Sequence, residues 1–270
     1  MTSTILQLSE PFGRVAYRVA GQGAPVLLIH GVGMQSAAWG PQMDALSATH
    51  RVIALDMPGH GGSDPVAADA DLPVFVAWLD AVLTALGLGP VNLAGHSMGA
   101  MIAGGYAACH PDKVARVALL NGVFCRSPEA RQAVIARAED IRKGRFDLQT
   151  PLKRWFGDSP IEQAALDKVA GWLSSVDNDG YATAYAAFAA GDSTYADRFS
   201  SIACPLLALT ADGDPNSTPA MAHAMAEAAQ NGRAVVLAGH RHMVNLTDPD
   251  AVTDALREWL ETPAAGKDAA

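Results

Sequence analysis

Residues 91 to 105 read Val-Asn-Leu-Ala-Gly-His-Ser-Met-Gly-Ala-Met-Ile-Ala-Gly-Gly, and no other stretch constrains the fold as tightly. Val91 to Ala94 form a short apolar run of strand length, Gly95 to Gly99 form a turn, and the small residues that follow suit a closely packed helix. A turn this tight brings strand and helix so near that only glycine fits at positions 95 and 99. It also holds Ser97 in a strained backbone conformation. The strain presents the Ser97 hydroxyl above the strand ends. A helix N-terminus lies beneath it, and the Met98 amide is free to bind an oxyanion.

Around this stretch the chain alternates apolar strands and helices. Strand patterns cover 4 to 8, 14 to 19, 26 to 29, 51 to 55, 91 to 94, 114 to 120, 205 to 210 and 234 to 237. Helical spacing covers 39 to 46, 72 to 86, the segment after Ser97, a helix starting near Pro219, and 250 to 260. Buried strands separated by helices predict an α/β fold with a mostly parallel eight-stranded sheet. From Val123 to Ile202 the strand pattern lapses, and helical segments rich in alanine and charge replace it. Residues 1–122 and 203–262 are therefore read as the core, 123–202 as a helical cap over Ser97, and 263–270 as a disordered tail.

Composition narrows the function classes. A formal charge of −9 and the lack of a basic run argue against a nucleic-acid surface. Cys109, Cys125 and Cys204 are odd in number and lack metal-ligand spacing, which predicts reduced thiols and a cytoplasmic protein. The N-terminus lacks the basic flank and apolar run of a signal peptide or membrane span. Asp56, His60 and Asp64 fall in a glycine-rich loop, where polar side chains satisfy the backbone, so no metal is expected there and no cofactor is implied.

A serine hydroxyl is a weak nucleophile at neutral pH, so Ser97 needs a histidine base and the base an orienting acid. The acid is Asp212 or Asp214, with Asp214 lying deeper in its turn, and the base is His240 or His242. The loop His30-Gly31-Val32-Gly33 follows a buried strand and offers a second oxyanion amide, Val32 or alternatively Gly33. In the cap, Trp155, Phe124 and Arg154 are the proposed substrate-binding residues. Phe146, Phe156, Trp172, Tyr181, Tyr185 and Phe188 are further candidates for the pocket wall, and Arg126, Arg145 and Lys153 for a substrate carboxylate.

With these parts in order, the chain resembles the α/β-hydrolase superfamily over almost its whole length. The resemblance rests on the His30-Gly31 loop, the Asp56 to Ser63 loop, the Gly-x-Ser-x-Gly turn, the cap, the acid turn and the histidine loop. It implies the chain order Ser97, Asp214, His242 for a catalytic triad. His242 opens His-Met-Val-Asn-Leu-Thr-Asp-Pro, similar to the family's His-Met-x-Asn-Leu-x-x-Pro. Parts of the cap (152 to 156, 180 to 188 and Asp192) are similar to 3-oxoadipate enol-lactonases, although the loop His-Gly-Val-Gly departs from their Asn-Ser-Leu-Gly. Relatives that form alkyl-ester intermediates need aspartate at the elbow, so Ser97 implies acyl transfer to water. The resulting expectation is a cofactor-independent serine hydrolase of a small ester or lactone. The alternatives are a carbon–carbon bond hydrolase of ring-fission products with the same triad, and a non-catalytic ligand receptor on this scaffold.

Overall fold

The computed structural model describes residues 3–264, so most of the tail expected to be disordered lies outside the described residues. In chain order the elements are β1 (Ser3–Gln7), β2 (Arg14–Ala20), β3 (Pro25–Ile29), α1 (Gly40–Leu46), β4 (Arg51–Leu55), α2 (Leu72–Ala85), β5 (Val91–His96), α3 (Met98–Cys109) and β6 (Val114–Leu120). Four helices then follow without an intervening strand among the described residues: α4 (Pro128–Arg142), α5 (Gln149–Trp155), α6 (Pro160–Ser175) and α7 (Asn178–Ala190). The sheet resumes with β7 (Leu206–Ala211), α8 (Pro219–Ala228), β8 (Gly232–Leu237), α9 (Val244–Thr247) and α10 (Pro249–Glu261).

The eight strands form one sheet in the order β1-β2-β4-β3-β5-β6-β7-β8. β1 pairs antiparallel with β2 and β2 with β4, and every later pairing is parallel. Alternation along each parallel strand splits its side chains between two apolar layers. Leu27, Ile29, Leu93, Val117, Leu119 and Leu206 face one layer; Val26, Leu28, Ala94, Ala118, Leu120 and Leu207 face the other. α3 contributes Ile102 and Tyr106 to the first layer, whereas α1 and α10 contribute Met43, Leu46, Leu256 and Trp259 to the second.

This division sets the position of the site. β3 and β5 are neighbours, yet the helix after β3 lies on one face of the sheet and the helix after β5 on the other. Loops leaving adjacent strand ends in opposite directions open a crevice at the carboxyl edge, where ligands of open α/β sheets bind. Ser97 and the His30 to Gly33 loop stand at that crevice.

Candidate active site

β5 ends at His96 and α3 begins at Met98, so Ser97 alone makes the turn, at φ 55° and ψ −115°. A non-glycine residue stays in this region only where its surroundings over-determine it. A Cβ at Gly95 would strike the Gly99 backbone, and one at Gly99 would strike the carbonyl oxygens of Ile29 and His30. Strand, turn and helix are therefore locked together, and the Ser97 amide is tied to Leu120 O at 2.9 Å. Gly31 closes in from the other side, where an added Cβ would stand 3.0 Å from Ser97 Cβ.

The two late loops deliver an acid and a histidine. His242 Nδ1 lies 2.7 Å from Asp214 Oδ2, with both side chains almost wholly buried. That contact fixes the proton on Nδ1 and leaves Nε2 as the nitrogen able to accept one. Asp214 Oδ2 also accepts from Asn121 Nδ2 at 2.9 Å, and Oδ1 accepts from the Asn216 amide at 2.8 Å. Burial pushes the Asp214 carboxyl up, but the His242 charge and these donors outweigh it and hold the group below its ordinary range.

The alternatives have other partners. Asp212 Oδ1 accepts from the Gly239 amide at 2.8 Å, and His240 Nε2 lies 3.1 Å from Asp248 Oδ2. Both thereby anchor the loop that carries His242. His96 anchors it as well, since its Nε2 donates to the His242 carbonyl at 2.8 Å. Burial drives His96 down to about 3, so it stays a neutral donor.

The amides of Met98, at the first turn of α3, and of Val32 have no protein acceptor among the described residues. The Gly33 amide is engaged by His60 Nε2 at 3.0 Å, which separates it from Val32. His30 spans the same loop, with Nδ1 on Gly31 O at 2.7 Å and Nε2 accepting from the Met57 amide at 2.9 Å. Asp56 accepts from the Ser36 and Gly62 amides at 2.6 and 3.0 Å, so the glycine-rich loop satisfies its own backbone.

Ser97, His242 and Val32 line one cavity of about 410 Å³, whose far wall comes from the cap helices. Arg126, Arg137, Arg154, Trp155, Tyr181, Tyr185 and Phe188 all reach it, and the Trp155 ring lies 5.6 Å from that of His242. Phe124 corrects the expectation that it binds substrate: it packs on Phe199 at 4.8 Å, beneath the cap and away from this cavity. Its neighbour Cys125 has φ 47°, and this sharp bend sends Arg126 toward the cavity while Phe124 turns to the core. Phe146, Phe156 and Trp172 likewise pack into the apolar layer. Arg145 pairs with Asp140 at the surface, and Lys153 is exposed.

The cavity cations differ in their surroundings. Arg126 is buried beside Asp192 at 3.5 Å and over the Phe188 ring at 4.4 Å, and Arg131 reaches the same carboxylate at 3.2 Å. Arg137 and Arg154 have no carboxylate partner among the described residues. Sequence reasoning passed over Arg137, yet a signal existed: Ala130, Ala133, Val134 and Arg137 all line the cavity at helical spacing along α4. It also missed Asn121, a polar residue closing an apolar strand at φ 46°.

Fold and site together define a hydrolase of the α/β type: residues 26–255 match the model of the alpha/beta hydrolase family, and the chain belongs to that family. It is 53% identical, over 97% of its own length and 99% of the other's, to the (E)-2-((N-methylformamido)methylene)succinate hydrolase of Acinetobacter baylyi. Among solved structures it resembles the enol-lactonase of Burkholderia xenovorans, with a TM-score of 0.86, 27% identity, and coverage of 95% of this chain and 99% of that one. It likewise resembles a thermophilic esterase of Thermogutta terrifontis, with a TM-score of 0.85, 27% identity, and coverage of 96% and 98%. No helix among the described residues is long and apolar enough to cross a membrane.

Proposed function

We propose that this hydrolase cleaves a small, acidic acyl compound through an acyl-enzyme, with Ser97 as nucleophile, His242 as base and Asp214 as the acid that orients it. The observation that carries the reading is one cavity holding a strained Ser97 and a His242 whose Nδ1 is fixed by buried Asp214. The amides of Val32 and Met98 receive the oxyanion, each worth on the order of a hundredfold in turnover. Trp155 forms an apolar wall beside His242, and Arg154 supplies charge for a substrate carboxylate.

The 53% identity over nearly both full lengths supports (E)-2-((N-methylformamido)methylene)succinate, or a close analogue, as substrate. That compound has two carboxylates and a formyl group on an enamine nitrogen, so the acyl bond is an amide rather than the ester or lactone that the motifs alone suggest. Ser97 Oγ adds to the formyl carbon as its proton passes to His242 Nε2. The tetrahedral intermediate collapses with cleavage of the carbon–nitrogen bond. The electron pair on nitrogen is delocalised through the double bond toward the conjugated carboxylate, and His242 returns the proton to the leaving group. Water, deprotonated by His242, then attacks the Ser97 formyl ester and releases formate and free Ser97.

A second reading, hydrolysis of a small ester or lactone, draws support from the esterase and enol-lactonase likenesses at 27% identity. The test is turnover of the formamidomethylene succinate, p-nitrophenyl esters, aliphatic lactones and ring-fission diketones by wild type, Ser97→Ala, His242→Ala and His240→Ala. The proposal expects the succinate amide to be the best substrate, His240→Ala to retain turnover, and each of the other variants to lose about ten-thousandfold or more. Preference for the esters or lactones favours the second reading. Cleavage of the diketones alone moves the activity to carbon–carbon bonds. An unreactive Ser97 that binds ligand without turnover overturns the enzymatic reading.

A further inference from the structure

Between the two candidate histidines stands Arg241, which neither sequence motif nor triad accounts for. Its Nη1 donates to the carbonyl of Lys153 at 3.0 Å and to that of Phe156 at 2.6 Å. These carbonyls close the C-terminal end of α5, where helix carbonyls lack internal partners and the helix dipole is negative. The two residues between them are Arg154 and Trp155, which line the cavity opposite Ser97. The residue after Arg241 is His242. One guanidinium thus bridges the cap segment that meets the substrate and the loop that carries the base.

Both ends of this bridge are braced. On the loop side each successive residue has its own anchor: the Gly239 amide on Asp212, His240 on Asp248 and His242 on Asp214. On the cap side the turn after α5 is held by the start of α6, where Glu162 Oε1 accepts from the Gly157 amide at 2.8 Å and Gln163 Nε2 donates to Gly157 O at 2.9 Å. Glu162 also serves the N-cap of α6 through Ser159. The inner face of α5, with Pro151 and Leu152, is buried against the core, so packing holds the helix down while Arg241 sets its register along the loop.

We infer that Arg241 is a positioning residue: by bonding the C-terminal carbonyls of α5 it holds Arg154 and Trp155 in register with His242, and through them governs recognition of the acidic substrate. The activity readout rests on the function proposed above; the exchange readout does not.

The test is a double-mutant cycle of Arg241→Ala and Arg154→Ala, with Arg241→Lys as the conservative variant, joined to hydrogen exchange of peptides covering residues 149–156. Arg241→Ala raises KM for the succinate amide about tenfold, the size expected for lost charge-assisted hydrogen bonds, while kcat falls less than about threefold. Arg154→Ala adds little further in the Arg241→Ala background, because the lost contact is already out of register. Arg241→Lys restores part of the affinity. Exchange quickens over 149–156 and stays unchanged in β5 and β6. Additive KM effects, or unchanged exchange over 149–156, overturn the inference. So does a fall in kcat alone, which would mean that Arg241 acts on His242 and not on the cap. If wild type does not turn over the succinate amide, the proposed substrate fails, and the exchange result alone decides whether Arg241 holds α5.

Discussion

Asp214 Oδ2 receives two side-chain donors, His242 Nδ1 at 2.7 Å and Asn121 Nδ2 at 2.9 Å, and the second was hidden from sequence reading. Asn121 is fully buried and left-handed at φ 46°, so glycine can replace it without backbone strain. Under the proposed roles, Asn121→Gly loosens the acid that orients the base. It lowers kcat about tenfold to a hundredfold, the worth of one hydrogen bond to a charged group, with KM changed less than about threefold. Steady-state kinetics checks this, and an unchanged kcat removes Asn121 from the site. The contrast in legibility has a physical origin. Ser97 sits inside a contiguous pattern whose glycines are dictated by carbonyl contacts one residue type can tolerate. Asn121 and Arg241 act across 93 and 85 to 88 positions of chain, and no local pattern encodes such reach.

At the level of elements, the inner strands β3 to β7 were readable because parallel strands buried on both faces need near-continuous apolar runs. The cap was readable only as helical, and α5 carries little signal of its own, being seven residues long with Pro151 within it. What joins the cap helices is also not local. Asp192, just past α7, has a side chain with no exposure; its Oδ2 accepts from the Arg126 amide at 2.6 Å and from Arg131 at 3.2 Å. One carboxylate therefore ties the start of α4 to the end of α7 and neutralises charge next to the cavity. Asp192→Asn keeps the shape and removes the charge, leaving the 5% exposed Arg126 side chain without a counterion. The expected loss is about 3–5 kcal/mol in urea denaturation, as for other broken buried pairs. Adding Arg126→Met to Asp192→Asn recovers a substantial part, because the uncompensated charge goes with it. Loss that persists in the double variant assigns the effect to the hydrogen bonds of Asp192 instead.

Across the whole molecule, the site is floored by imidazoles that stay uncharged. His30 and His60 lie 5.4 Å apart under the Val32 loop, and His96 lies 5.0 Å from His242. Burial drives His60 and His96 down to about 3, and His30 shifts in the same direction. In the unfolded chain each titrates near 6.5, so between about 6.5 and about 3 the unfolded state binds more protons than the folded one. Stability contributed by these groups is complete above about pH 6.5 and declines as pH falls toward 3. At pH 5, His60 and His96 each remove about 2 kcal/mol, since one unit is worth about 1.4 kcal/mol. The urea midpoint therefore drops between pH 7 and pH 5, before the carboxylates titrate. His60→Gln tests the origin of the drop. Glutamine can accept from the Gly33 amide and donate to Pro58 O, as the ring does at 3.0 Å in each case, but it takes up no proton when unfolded. Its stability falls less than that of wild type over the same interval, by about 2 kcal/mol. Equal midpoints at pH 7 and pH 5 in wild type would show that the buried rings are protonated in the folded protein, and the neutral floor beneath Ser97 would have to be abandoned.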